Sequence, residues 1–86
     1  MAYAIEIARP AQRQLRKLDR AARARVAARI DQLAEEPRPA GVKRLHGTST
    51  VLYSIREGDH RIVYQVEDDR LVVLVVKIGH RSEVYR

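Results

Sequence analysis

Arg61, Arg81 and Tyr85 lie in the C-terminal part of an 86-residue chain, within the string YSIREGDHRIVYQVEDDRLVVLVVKIGHRSEVYR that runs from Tyr53 to Arg86. Two β-type runs there are joined by an acidic turn. Arg61 opens the first, Arg81 follows the second, and Arg56 ends the strand-like segment upstream. A guanidinium stays charged at any physiological pH and presents a planar fork of donors that matches a phosphate. Such groups on a rigid sheet, with a phenol close to the C-terminus, suit the handling of a phosphodiester.

Other chemistries are poorly served by this chain. A metal-dependent nuclease needs several carboxylates converging on a divalent ion. Here Glu57, Asp59, Glu67, Asp68 and Asp69 fall in turn-like segments. His46, His60 and His80 have no metal-ligand spacing, and there is no glycine-rich phosphate loop or serine nucleophile elbow. No metal and no cofactor are therefore expected. What remains is metal-free cleavage of RNA, in which the ribose 2′-OH attacks its own phosphate and leaves a cyclic phosphate. The protein must align that attack, remove the 2′ proton, stabilise the phosphorane and protonate the departing 5′ oxygen. A well-aimed donor contributes about 3–4 kcal/mol to such a transition state, and acid–base help contributes about 10²–10⁴-fold. Arg56, Arg61 and Arg81 are candidates for the first role.

The totals agree with an anionic partner. Seventeen Lys and Arg against eleven Asp and Glu give a net charge of +6, the balance expected of a polyanion binder. The chain has no cysteine, which removes disulfides and thiolate metal sites and suits a reducing compartment. Its longest apolar run, Leu71 to Val76, is too short for a bilayer. The opening MAYAIEIARPAQ has no basic segment followed by an apolar one. A single soluble cytoplasmic domain over residues 1–86 is expected.

The elements that must carry these residues are legible from periodicity. Tyr3, Ile5 and Ile7 alternate with Ala4, Glu6 and Ala8, as in a half-buried strand. Pro10 suits the first turn of a helix, with Leu15 and Leu18 toward the core. Asp19 is a candidate N-cap for a second helix, whose stripe is Ala22, Val26, Ile30, Leu33 and Ala34; Pro37 and Pro39 close it. Residues 37–50 read as a long irregular connection. Strands follow at Val51–Arg56, His60–Val66 and Leu71–Ile78, with turns at 57–59 and 67–69 and a stop at Gly79. The last strand is apolar nearly throughout, as in a central strand covered on both faces. The expected class is α+β in the order β-α-α-β-β-β, a helical hairpin on one face of a small, mostly antiparallel sheet. Arg56 and Arg61 would project from the other face, although alternation without register cannot assign faces.

At these residues the chain resembles the RelE branch of the RelE/ParE toxin superfamily over nearly its full length. The carriers are AYAIEIARPAQRQLRKLD, VKRLHG, YSIREGDHRIVYQV and IGHRSEVY, in the family's order; the C-terminal blocks are the specific ones. The resemblance implies a metal-independent endoribonuclease that cuts mRNA in the ribosomal A site, with rRNA around it. It also implies a cognate, RelB-like antitoxin that neutralises a toxin monomeric on its own and forms a hetero-oligomer with it. Arg61 matches the family's phosphate-binding Arg, Arg81 the Arg that assists the leaving group, and Tyr85 the C-terminal Tyr that positions a nucleotide. Arg56 falls at a second basic position. Ser54 falls where the best-known member has a lysine proposed as general base, and Ser has no basic group at neutral pH. His80 and His60 are the stand-ins, since imidazole titrates near neutrality. Lys43 and Arg44 are candidates for backbone phosphate contacts. Two alternatives stay open: a ParE-like poison of DNA gyrase on the same fold, and a catalytically degenerate RNA-binding relative.

Overall fold

The computed structural model describes residues 2–45 and 50–80. Two helices pack on one face of a five-stranded sheet. Strand β1 (Ala4–Ile7) leads into α1 (Arg9–Lys17) and α2 (Arg20–Glu35), followed by β2 (Lys43–Leu45), β3 (Leu52–Glu57), β4 (His60–Glu67) and β5 (Val72–His80). The strand order is β1-β5-β4-β3-β2. β1 runs parallel to β5, and every other pairing is antiparallel. The expected α+β order holds, with one addition. Lys43–Leu45 leaves the 37–50 connection to pair with β3 as an edge strand.

The helices begin where local chemistry dictates. Pro10 lies in the first turn of α1, where its missing N–H has no intrahelical partner to lose. Asp19 caps α2, its Oδ1 accepting from the Ala22 N–H at 2.8 Å. From α2, Val26, Ile30 and Leu33 descend onto Ile55, Ile62, Tyr64, Val73, Val75 and Ile78 of the sheet, with Ala11 of α1 filling the seam. Each large apolar side chain enclosed there is stabilised by about 1.5–3 kcal/mol. Leu15 and Leu18 pack at the margin of this core, as their spacing predicts.

Two backbone details decide which residues reach which face. The β3–β4 hairpin turns on Gly58-Asp59, with Gly58 at φ +61°, a conformation open to glycine without steric penalty. In β5 the register shifts by one residue. Val63 lies opposite Lys77, whereas Tyr64 lies opposite Val75, so Val76 is an extra residue in that strand. Such a bulge inverts the phase of alternation. Val73 and Val75 point into the core, and unbroken alternation would send Lys77 after them. The bulge instead buries Ile78 and turns Lys77 to the opposite face. β5 also continues through Gly79 to His80 rather than stopping at the glycine. Its edge beyond β1 is covered by α1, where Gln14 Oε1 accepts from the Ile78 N–H at 2.7 Å.

A polar clip fixes the start of the 37–42 connection. The enclosed Tyr64 hydroxyl donates to the Pro37 carbonyl at 2.7 Å. Arg38 donates from Nη1 and Nη2 to both carboxylate oxygens of Asp68 (3.2 and 2.8 Å) and from Nε to the Tyr53 hydroxyl oxygen (3.0 Å). The Tyr3 hydroxyl donates to the same carboxylate at 2.7 Å. Hydrogen bonds from Arg38 first, then Tyr3, hold the Asp68 carboxyl below its ordinary range. The clip anchors the segment that carries Lys43 into β2.

Candidate active site

The register assigns the faces that the sequence pattern leaves open. Ser54 is opposite Val63 and Lys43, Val63 is opposite Lys77, and in the next row Arg56 is opposite Arg61, which is opposite Gly79. All seven therefore share the face turned away from the helices, because Ile55, Ile62 and Ile78 between them are buried against α1 and α2. The result is a basic surface with a floor of two small side chains, Ser54 and Val63. Lys43 and Lys77 stand at the two ends of that row, and Arg56 and Arg61 stand in the row beside it.

Arg61 is half-buried, and its Nη1 donates to Ser54 Oγ at a long 3.5 Å. Ser54 is diagonal to Arg61 across the β3–β4 pair, so this contact places the guanidinium over the Ser54–Val63 floor. Ser54 itself is fully enclosed, at 0% exposure, and its hydroxyl orients Arg61 rather than facing solvent. Arg56 is exposed, with Nε donating to the Gly58 carbonyl at 2.9 Å. Among the described residues, Lys43, Arg56 and Lys77 pair with no carboxylate; the ion pairs of Arg29, Arg38 and Arg70 lie elsewhere. Arg70 pairs with Glu67 and Glu6, which lie in later rows of the same face, Glu6 opposite Leu74 and Glu67 opposite Val72. Lys43, Arg56 and Lys77, without a carboxylate partner among the described residues, give this face the positive character that suits an anion.

Three expected participants are not brought to this surface. His60 and His80 are cross-strand partners with ring centroids 6.2 Å apart, edge to face. They share the phase of Ile62 and Ile78 and therefore lie on the helix side. There they line a shallow cleft of about 270 Å³ with Gln14, Lys17, Leu18, Ile78 and Gly79. The expectation that either imidazole stands in as proton acceptor beside Arg61 is corrected by this register, since the sheet itself lies between them. Arg44 pairs with Tyr53 and likewise faces away from Arg61, whereas Lys43 joins it. Arg81 and Tyr85 lie outside the described residues, as does His46. Lys77, in contrast, is present on the basic face although nothing in the local pattern marks it. Its only signal is the single charge in an otherwise apolar run. Among the described residues no group of three or more His, Cys, Asp or Glu could hold a metal ion.

The comparisons with known proteins agree with this architecture. Residues 5–85 match the family model described as the ParE toxin of the type II toxin-antitoxin system parDE. Toxin RelG of Mycobacterium tuberculosis is 31% identical over 87 residues, covering 100% of this chain and 99% of that protein. This chain belongs to the RelE/ParE toxin superfamily, on its RelE side. The mRNA interferase toxin RelE of Escherichia coli is 32% identical over 99% of this chain and 92% of its own length. The toxin in the archaeal RelE-RelB complex from Pyrococcus horikoshii superposes with a TM-score of 0.83 at 31% identity, covering 98% of this chain and all of that one. None of the helices among the described residues is long and apolar enough to cross a membrane.

Proposed function

We propose that this RelE-type toxin is a metal-independent endoribonuclease that cuts mRNA in the ribosomal A site, acts in the cytoplasm and is neutralised by a RelB-like antitoxin. The observation that carries the proposal is the placement of the Arg61 guanidinium over the Ser54–Val63 floor, on the same face as Arg56 and Lys43. The curated relative from Escherichia coli, named an mRNA interferase, supports the same activity at 32% identity, and the RelE-RelB complex supports the class of partner.

In this mechanism the 2′ oxygen forms a bond to phosphorus, the bond from phosphorus to the 5′ oxygen breaks, and a 2′,3′-cyclic phosphate and a 5′-hydroxyl result. Arg61 meets the non-bridging oxygens, whose negative charge grows as the phosphorane forms. Arg81 supports the departing 5′ oxygen, Tyr85 holds a nucleotide, and Arg56 and Lys43 contact flanking phosphates. Binding to a positive surface alone would stabilise substrate and transition state equally. Rate comes from the interactions that strengthen as charge accumulates.

The deciding experiment is Arg61→Ala, assayed by primer extension on ribosome-bound messages after induction. Cleavage should fall by about 10²–10³-fold while the melting temperature is preserved. Full cleavage by the variant would reject the assigned site. The family model carries the ParE name, so poisoning of DNA gyrase is the second reading. Trapped gyrase–DNA complexes with intact messages would replace the first reading with that one.

A further inference from the structure

Two of the chain's three lysines, Lys43 and Lys77, stand at opposite ends of the row floored by Ser54 and Val63. Lys43 occupies a short edge strand. Lys77 occupies the central strand β5, half-buried and directly opposite Val63. It is the diagonal neighbour of Arg61, whose direct partner on β5 is Gly79. Diagonal positions are about 7–8 Å apart, within reach of long side chains. Because Gly79 has no side chain, nothing from β5 stands between the stems of Arg61 and Lys77. Arg61 leans toward Ser54 on β3, along the row that Lys77 closes from the β5 side. An anion held by Arg61 above Val63 is therefore also within reach of the Lys77 ammonium.

The backbone makes this placement at the expense of regularity. With Val73 and Val75 buried, an unbroken strand would bury position 77, where an ammonium would need a partner. The extra residue Val76 moves Lys77 to the basic face and restores Ile78 to the core. Bulges commonly re-aim a side chain beside a functional site. Among the described residues Lys77 has no carboxylate partner.

We infer that Lys77 is a further catalytic residue, an ammonium that grips the non-bridging oxygens of the scissile phosphodiester from the side opposite Arg56, with Arg61 between them. The inference rests on the ribonuclease reading above. As the P–O2′ bond forms and the P–O5′ bond breaks, the net proton passes from the 2′-OH to the 5′ oxygen. Lys77 keeps its protons throughout and acts through charge alone.

The test is single-turnover cleavage on programmed ribosomes by the full-length toxin and its variants Lys77→Ala, Lys77→Met, Lys77→Arg, Arg61→Ala and Lys17→Ala, each with a melting curve. Lys77→Ala and Lys77→Met should lower the saturated rate by about 10²-fold, with KM changed far less. Lys77→Arg should recover most of the loss, because it keeps the charge. Lys77→Met keeps the aliphatic stem, so it decides the matter if the alanine variant melts early. Lys17→Ala, on the helix side, should stay within about twofold of the parent protein. A Lys77→Met rate within twofold of the parent, with Arg61→Ala inactive, would overturn the role of Lys77 and leave the ribonuclease site standing. An equal loss in Lys17→Ala would also overturn it, by showing bulk attraction to a polyanion. A parent protein that cuts no message would remove both proposals.

Discussion

Replacing Tyr64 by Phe isolates a single buried hydrogen bond and a single buried proton. The ring is fully enclosed (0% exposed) and stacks on Tyr53 with centroids 5.8 Å apart; Phe preserves that packing. The hydroxyl that donates to the Pro37 carbonyl at 2.7 Å is lost, leaving a carbonyl without its donor. At neutral pH the loss should be about 1–3 kcal/mol, or a fall of roughly 4–8 °C in melting temperature per kcal/mol for a domain of this size. Alkali supplies the second measurement. Burial pushes the Tyr64 phenol up to about 12, from an ordinary value of 10. Below pH 10 it is protonated in both states and its contribution is complete. Between pH 10 and 12 the unfolded chain releases the proton while the folded chain retains it. Unfolding is then favoured by about 1.4 kcal/mol per pH unit, up to nearly 3 kcal/mol. The Phe variant has no such proton to lose. Urea denaturation followed by far-UV circular dichroism at pH 8, 10 and 11 should show the parent more stable at pH 8 and the gap narrowing by about 1 kcal/mol at pH 11. A gap of constant width, or one that widens, would refute the argument that the phenol is enclosed and neutral. Because this bond pins the chain where it leaves α2, the variant should also loosen the segment leading to Lys43.

Two further substitutions test the local backbone reasoning. Gly58→Ala places a methyl group where no atom lies within 4 Å, so its cost is conformational: φ is +61°, and about 1–2 kcal/mol should be lost, read as a lower urea midpoint with an unchanged slope. Asp19→Ala removes the acceptor for the Ala22 N–H and should cost about 1 kcal/mol, whereas Asp19→Ser should retain most of the stability in the same measurement.

The local signals in this chain are strong. The alternation of Tyr3, Ile5 and Ile7, the Asp19 cap, the Val26–Ile30–Leu33 stripe and the turn at Gly58 each depend on neighbours a few residues away, and each occurs where those residues predict. The positions of Arg56 and Arg61 on one face also followed from their own strands once paired. The short strand Lys43–Leu45 was not legible, because three polar-to-mixed residues between Gly41 and Gly47 carry no period. Their strand character comes from the exposed edge of β3.

Sequence order thus settled the type of every element except β2, the helical core stripe and the cationic character of the chain. Which cations face one another was decided in three dimensions. The bulge at Val76 separates Lys77 from the core, the register of β4 on β5 sends His60 and His80 to the helix side, and β1 runs parallel to β5. Periodicity reports only whether a residue shares a face with its near neighbours along the chain. A face of a sheet is set by hydrogen bonds between strands distant in sequence, and one extra residue in one strand reverses every assignment beyond it.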